Sequence, residues 1–439
     1  MKKNVILLLL TTLLVFRATA QTNEKKDPVF GISFSAYVKT DVIFDSRQTV
    51  NLREGHLLYY PENQKLDAEG KDINAKSNFN ILAIQSRLSG KITGPDALGA
   101  KTSGVMEGEF FGNINSTINS FRLRQAYLKL NWKTTELLAG QYWHPMFVAS
   151  CFPEVVAVNT GLPFLVFTRN PQIRLTQDIG KFKILATALT QIDFTSTGPD
   201  GTSPKYLRNS SLPEMNLQLQ YSVKSDEKGK EFLVGGSADY LLLTPSLTSE
   251  VVLKKAYDTV VENIVIHHDA EKATYKTSSK TGSFSANFFT KIKQPKFTIK
   301  LGGVYTENGY SFSMLGGYVV KEMSDSAKGT LKYANVRTLS GWTDIMVGGS
   351  KWQFAVFGGY SKNIGAGTNV IGPYYSRGSD IAYLYRISPR IVLNANKFRL
   401  SGEFDYTVAA YGKTMPDATV SNPKEIGNFR VLVGLFYFF

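Results

Sequence analysis

Apolar and polar residues alternate with a period of two along most of this chain, and the gaps between the alternating stretches are in turn short and long. In Met215-Asn216-Leu217-Gln218-Leu219-Gln220-Tyr221-Ser222, Leu217, Leu219 and Tyr221 oppose Asn216, Gln218 and Gln220. In Leu82-Ala83-Ile84-Gln85-Ser86-Arg87-Leu88-Ser89, the pattern sets Leu82, Ile84 and Leu88 against Gln85, Arg87 and Ser89. A period of two is the mark of a strand with two unlike faces. It predicts sixteen strands, at 31–44, 79–93, 103–112, 121–132, 135–142, 171–178, 181–192, 213–224, 231–243, 281–293, 296–307, 333–348, 351–361, 380–394, 397–411 and 426–439. Short connections fall at Lys133-Thr134, Ile179-Gly180, Gln294-Pro295, Gly349-Ser350 and Ala395-Asn396. Long ones are 45–78, 142–170, 193–212, 244–280, 308–332, 362–379 and 412–425, with 113–120 of modest length.

A soluble sandwich also alternates along its strands, so the connection lengths decide. Short turns on one side and long loops on the other belong to transmembrane barrels. In lipid every backbone group must pair internally, which a closed barrel achieves. Strands near ten residues match a tilted span. The expected fold is therefore all-β: a transmembrane antiparallel β-barrel of about sixteen strands, with short periplasmic turns and long extracellular loops. Ser311 to Val320 also looks strand-like, and counting it would give seventeen strands. An even count returns both termini to the periplasm, so 308–332 is expected to be a structured outer loop.

Composition agrees, with 22 Tyr, 28 Phe and 37 Gly against 16 Pro. Aromatics and glycine favour strands and turns. No stretch approaches 18 continuous apolar residues, which excludes transmembrane helices. Residues 1–20 read as a secretory signal: Lys2 and Lys3, an apolar run from Val5 to Phe16, then Ala18-Thr19-Ala20 before the cut. Its removal would lower the formal charge from +14 to +11. A short periplasmic segment, 21–30, and the barrel, 31–439, follow. The single Cys, Cys151, excludes an internal disulfide and a Cys-based zinc site, and none follows the cut to carry a lipid.

The last strand places Phe429, Val431, Val433, Leu435, Tyr437 and Phe439 on one face. A final strand ending in Phe resembles the signal read by the barrel-assembly machinery of Gram-negative bacteria. Trp132, Trp143 and Trp352 fall at predicted strand ends, where rings suit an interfacial girdle; Trp342 falls mid-strand.

Six stretches stand out: Ser86-Arg87-Leu88, Glu107-Gly108-Glu109-Phe110, Phe121-Arg122-Leu123-Arg124-Gln125-Ala126-Tyr127, Gly140-Gln141, Arg169-Asn170-Pro171-Gln172-Ile173-Arg174 and Gly358-Gly359-Tyr360-Ser361-Lys362-Asn363. Together they resemble porins of the DcaP-like type and their Bacteroidota relatives. The resemblance implies a trimeric barrel that passes small, often anionic, solutes by diffusion. Some members carry an N-terminal coiled coil, for which about ten residues after Gln21 leave no room.

If one face meets lipid, the other meets water. The expected pore-lining residues are Arg87, Glu107, Glu109, Arg122, Arg124, Arg174, Arg386, Arg399, Glu403 and Arg430. Arginines set against carboxylates would create a transverse field, and the arginine excess points to a modest anion preference. In 121–132, Arg122, Arg124 and Ala126 share a period with Leu128, Leu130 and Trp132, so a bulge is needed to separate the faces. The segment 142–170, with Trp143, His144, Phe147, Glu154 and Arg169, is too apolar for a free outer loop. It is expected to narrow the lumen; the alternatives are a latch onto a neighbouring subunit and a cap on the rim.

Enzyme chemistry finds no support. The four histidines, His56, His144, His267 and His268, fall in expected loops, without a Gly-x-Ser-x-Gly elbow or a His-Glu-x-x-His motif. A metal site at His267-His268-Asp269 would need more than adjacent histidines on a charged loop. The positive residues are scattered, which speaks against nucleic acid and suits lipopolysaccharide phosphates. A hydrophobic-substrate transporter would need an N-terminal hatch, and a plugged structural barrel bulky inward side chains. The sequence thus predicts a passive outer-membrane porin with no cofactor, metal or catalytic residue. Its expected partners are outer-membrane lipid and lipopolysaccharide, small hydrophilic solutes, the barrel-assembly machinery and two further copies of itself.

Overall fold

The computed structural model describes residues 30–439 apart from 113, 228 and 263. The expected signal peptide, 1–20, and nearly all of the segment 21–30 lie outside the described residues. Sixteen antiparallel strands close into a barrel. They are β1 (Gly31–Asp45), β2 (in two pieces, Asn78–Leu82 and Arg87–Ala97), β3 (Ala100–Glu109), β4 (Arg122–Asn131), β5 (Thr135–Trp143), β6 (Arg169–Ile179), β7 (Phe182–Leu189) and β8 (Glu214–Ser225). They continue with β9 (Lys230–Leu243), β10 (Thr281–Gln294), β11 (Phe297–Thr306), β12 (Thr330–Gly348), β13 (Trp352–Gly365), β14 (Ile381–Ala395), β15 (Phe398–Thr414) and β16 (Val420–Phe438). Pairing of β1 with β16, from Tyr37 opposite Phe438 to Asp45 opposite Arg430, closes the ring. No described helix is long and apolar enough to cross a membrane.

All sixteen expected strands have counterparts, and the connections keep their two lengths except at 412–425. At the short end, Leu98-Gly99 turns with both residues at positive φ (54° and 71°), the geometry that matches the twist of the strands it joins. At the long end, Gly316–Asp325 forms an extra strand that pairs with the top of β12 and with Tyr374–Arg377. The 308–332 segment is therefore a structured loop, and β11 pairs directly with β12 beneath it. The expected 412–425 loop is instead a tight hairpin, because β15 and β16 run on to Thr414 and from Val420. Polar residues and two prolines outnumber apolar ones there, so the hydropathy signal fades before the strand does.

Two registers decide which residues face inward. A bulge opposite Glu107-Gly108 lets β4 carry Arg122, Arg124 and Gln125 inward, with Tyr127 and Lys129 following, while Leu123, Ala126, Leu128 and Leu130 face out. This is the switch the mixed pattern of 121–132 required. The stretch 82–89 departs from the expected continuous strand. The chain leaves the sheet at 83–86, and the break reverses the phase. Leu82 turns inward onto the Ile43, Val156 and Leu432 cluster, Ile84 is buried, and only Leu88 faces out. Elsewhere the outward faces are apolar and uncovered, as with Phe34, Val38, Leu217, Leu219, Phe288, Phe354 and Phe429. The inward faces are polar and buried, as with Asp41, Asn216, Gln218, Asp239, Ser285, Asp344 and Arg430. That inversion of a water-soluble protein suits a barrel solvated by lipid.

Candidate functional site

The segment 144–168 folds into the barrel and crosses it. The His144 N–H donates to the Thr168 carbonyl at 3.1 Å and closes its base. From there the walls bind it in turn. Gln218 on β8 donates to the Pro145 carbonyl (2.9 Å), Asn287 on β10 to Met146 (3.0 Å) and Lys300 on β11 to Phe152 (3.0 Å). Glu403 on β15 accepts from the Val156 N–H (2.7 Å), and Lys39 on β1 donates to the Val156 carbonyl (2.8 Å). Arg386 on β14 donates to the Leu162 carbonyl (2.8 Å) and Ser340 on β12 to Phe164 (2.9 Å). Every one of these contacts is with a wall of the loop's own barrel. The walls make room for the loop: a Cβ on Gly359 would come within 2.5 Å of the Phe164 ring, and one on Gly434 within 2.9 Å of Val156. Leu162, Phe164 and Val166 are fully buried, which explains an apolar loop inside a polar lumen.

A second insertion was not legible as such. In the 46–77 loop, Leu57, Leu58, Tyr59 and Tyr60 are buried in the interior. Arg386 also donates to the Leu58 carbonyl (3.0 Å), Arg430 to Gly55 (2.7 Å) and the Tyr411 hydroxyl to Pro61 (2.7 Å). The signal was there, a four-residue apolar run inside a loop, but it is shorter than the one in 142–170.

Charged side chains gather beside the crossing loop in two groups. On β2, β3, β4 and β6, Arg87 pairs with Glu109 (2.9 Å) and Arg122 bridges Glu109 and Asp193 (both 2.8 Å). Arg169 pairs with Asp193 (2.5 Å), and Arg124 pairs with Glu107 and lies 3.2 Å from Glu109. Arg53, from the 46–77 loop, lies buried beside them and has no ion-pair partner among the described residues. Five guanidiniums thus meet three carboxylates, and all five Nε atoms lack a hydrogen-bond partner among the described residues. Burial pushes the Asp193 carboxyl up, but Arg169 and Arg122 outweigh it and hold it below the usual range. The second group lies on β1, β11, β12 and β14–β16. Arg390 grips Asp344 with two bonds (2.7 and 3.0 Å) and Arg430 grips Asp45 (2.9 and 2.7 Å). Lys39 pairs with Asp41 (2.9 Å) and Lys300 with Glu154 (2.5 Å), with Arg386, Glu403 and Asp405 nearby. Here five cations face six carboxylates, so the arginine excess sits on one side only.

The expected lining residues all point inward, with differing surroundings. Arg174 donates to the Trp143 carbonyl (2.8 Å), and Arg399 stacks on Phe436 and Phe438 near the short turns. Trp143 is not at an interface as expected. It faces inward, stacked on Phe147 with ring centroids 3.9 Å apart and with Arg124 and Arg169 over its ring. Trp342 is also inward and buried, whereas Trp352 is exposed. On the short-turn side of the loop lie cavities of about 600 Å³, lined by Arg87, Arg124, Phe152, Glu154, Arg390 and Arg399, and about 300 Å³, lined by Lys129, Phe147, Arg174, Lys183 and Gln218.

His267 pairs with Asp258 (2.6 Å) and His268 stacks on Tyr257, both on an outer hairpin. His56 packs on Phe111, and burial pushes it down to about 3. His144 Nε2 lies 3.3 Å from Glu214 and 3.6 Å from Asp239 in a buried cluster of metal-like spacing. Its Nδ1, however, accepts the Met146 N–H at 3.2 Å, so a neutral ring carries its proton on Nε2 and has no lone pair there for a metal. Burial pushes His144 down to about 4 and the Cys151 thiol up to about 12, so neither is primed as base or nucleophile.

Neither a family model nor a curated protein matches the chain. Among solved structures, it is similar to the outer membrane channel DcaP of Acinetobacter baumannii, at 14% identity over 93% of this chain and 97% of that one, with a TM-score of 0.61. It is also similar to in-vitro folded OmpT, an outer membrane protein of Vibrio cholerae, at 8% identity over 94% of this chain and 99% of that one, with a TM-score of 0.51. At these identities the likeness is one of fold: a sixteen-strand barrel matched over nearly its whole length.

Proposed function

We propose that this chain is an outer-membrane porin that passes small hydrophilic solutes by passive diffusion, with a modest preference for anions. The observation that carries the reading is the 144–168 loop, held across a closed, lipid-faced barrel by hydrogen bonds from seven strands. A loop so placed is a size filter, and the unbalanced guanidiniums of Arg53, Arg87, Arg122, Arg124 and Arg169 beside it are a charge filter. Glu403, Lys39, Lys300 and Arg386 position the filter, His144, Phe147 and Glu154 belong to it, and Trp143 at the end of β5 stacks on it. The signal peptide, the outer-membrane location and the Bacteroidota affinity rest on the sequence and its resemblances. Assembly as a homotrimer rests on the family resemblance, since the loop that could have latched a neighbour is inside its own barrel.

The packed interior also favours a second reading, a structural barrel with a filled lumen. Swelling of liposomes that carry the purified protein separates the two. The porin reading expects swelling in small sugars that slows with solute size, and faster entry of a dicarboxylate than of a diamine of similar mass. A folded barrel that admits none of them supports the filled lumen, and faster entry of the diamine defeats the anion preference.

A further inference from the structure

We propose that His144, Glu214 and Asp239 form a proton-held clasp on the root of the crossing loop, and that loss of the shared proton frees the loop. The inference rests on reading 144–168 as the filter. His144 is the first residue after β5, and it is held on both edges of its ring. Nδ1 accepts the Met146 N–H (3.2 Å), so the Nε2–H is left to donate to Glu214 Oε1 (3.3 Å). Asp239, one strand over, accepts from Asn216 Nδ2 (3.0 Å), and the ring nitrogen and carboxylate oxygens all lie within 4.8 Å of one another. All three side chains are sealed from solvent, at 0% to 1% exposure.

No Lys or Arg among the described residues pairs with either carboxylate. The cation facing this corner is Arg174 on β6, and its bonds go to Gln172 (3.0 Å) and the Trp143 carbonyl (2.8 Å). The other neighbours are uncharged: Gln191 from the 190–213 segment, Asn216 on β8, and Phe312 from the 307–329 loop, whose ring centroid is 5.1 Å from the imidazole. Two adjacent carboxylates sealed from solvent without a counter-ion cannot both ionise cheaply. One proton between them leaves a single charge spread over both groups and one acceptor for His144. Its transfer to hydroxide would leave two anions side by side and push Glu214 away from the imidazole.

Cys151, the only cysteine, supplies the reporter: it sits on the same loop, buried, with its thiol on the Thr290 carbonyl at 3.3 Å. In detergent-solubilised, heat-modifiable protein, the rate of Cys151 labelling by a small methanethiosulfonate reagent is compared between wild type and Glu214→Gln. The amide keeps an acceptor for His144 and a donor for Asp239, so it imitates the protonated pair at every pH. The ratio of the two rates cancels the reagent's own pH dependence. It should be near one at pH 7 and, above the release point, rise by about tenfold per pH unit until the loop is free. Asp239→Asn should behave as Glu214→Gln does. A ratio that stays near one up to pH 10 for both variants overturns the clasp. Labelling needs no ionic current, so that outcome leaves the porin reading standing, and a barrel without conductance leaves the clasp open to the same test.

Discussion

Replacing Arg53 by Gln should weaken the anion preference without disturbing the barrel. The side chain is buried but has no carboxylate partner among the described residues, so its loss strands no buried anion. It supplies one of the two positive charges by which five guanidiniums exceed Glu107, Glu109 and Asp193. An ion passing at roughly 6 Å gains or loses about 0.7 kcal/mol from one charge at the dielectric of water. The effect has opposite sign for cation and anion, so their permeability ratio moves by about 1.4 kcal/mol. Screening in 0.1 M salt, with a Debye length of about 10 Å, cuts this by roughly half, to about fourfold. Reversal potentials in a tenfold salt gradient measure that ratio directly. Asp193→Asn should move it the other way, since the carboxylate that Arg122 and Arg169 share is lost (2.8 and 2.5 Å). If both variants fold and both reversal potentials match wild type, the cluster lies off the conduction path and the charge filter is wrong.

Other consequences follow from the same contacts. Arg390→Met leaves Asp344 buried without its two-bond partner, and should cost about 3–5 kcal/mol, read as a lower unfolding temperature in heat-modified gels; Arg390→Met with Asp344→Leu should recover most of it. Gly359→Leu drives a side chain into the Phe164 ring, where even a Cβ comes within 2.5 Å. It should displace the loop and change single-channel conductance while the strands, judged by circular dichroism, stay intact. For pH, burial depresses His144 to about 4, so the stability it contributes is present above its ordinary 6.5 and is lost as pH falls through about 4. Burial alone would raise Glu154, but Lys300 prevails and holds it below its ordinary range, so its contribution is also lost on acidification through the depressed value. Conductance should therefore be steady from pH 7 to pH 5 and become noisy below about pH 4.

Strand number and the inward or outward sense of most residues were legible because lipid and water impose a period of two with little interference. The pattern failed where another demand intervened. At 83–86 the chain leaves the sheet, and Leu82 just before the break packs on Ile43 and Val156, so an apolar residue there serves an interior cluster. Trp143 looked interfacial because it ends a strand, yet that end opens into the lumen, where the arginines use its ring. The crossing loop was legible from its apolar character alone. Arg53 and Asp193 were not, because both come from loops without periodicity, and only the fold brings them to Arg122 and Arg169. The buried Glu214 and Asp239 were hidden for a different reason: on an inward polar face, a carboxylate sealed behind a loop reads like one bathed in water.

The most direct test of the account is the current through single barrels of the purified protein in a planar bilayer under a salt gradient. It predicts discrete conductance steps and a reversal potential of the sign set by anions. A folded, heat-modifiable barrel that inserts and carries no current would contradict it.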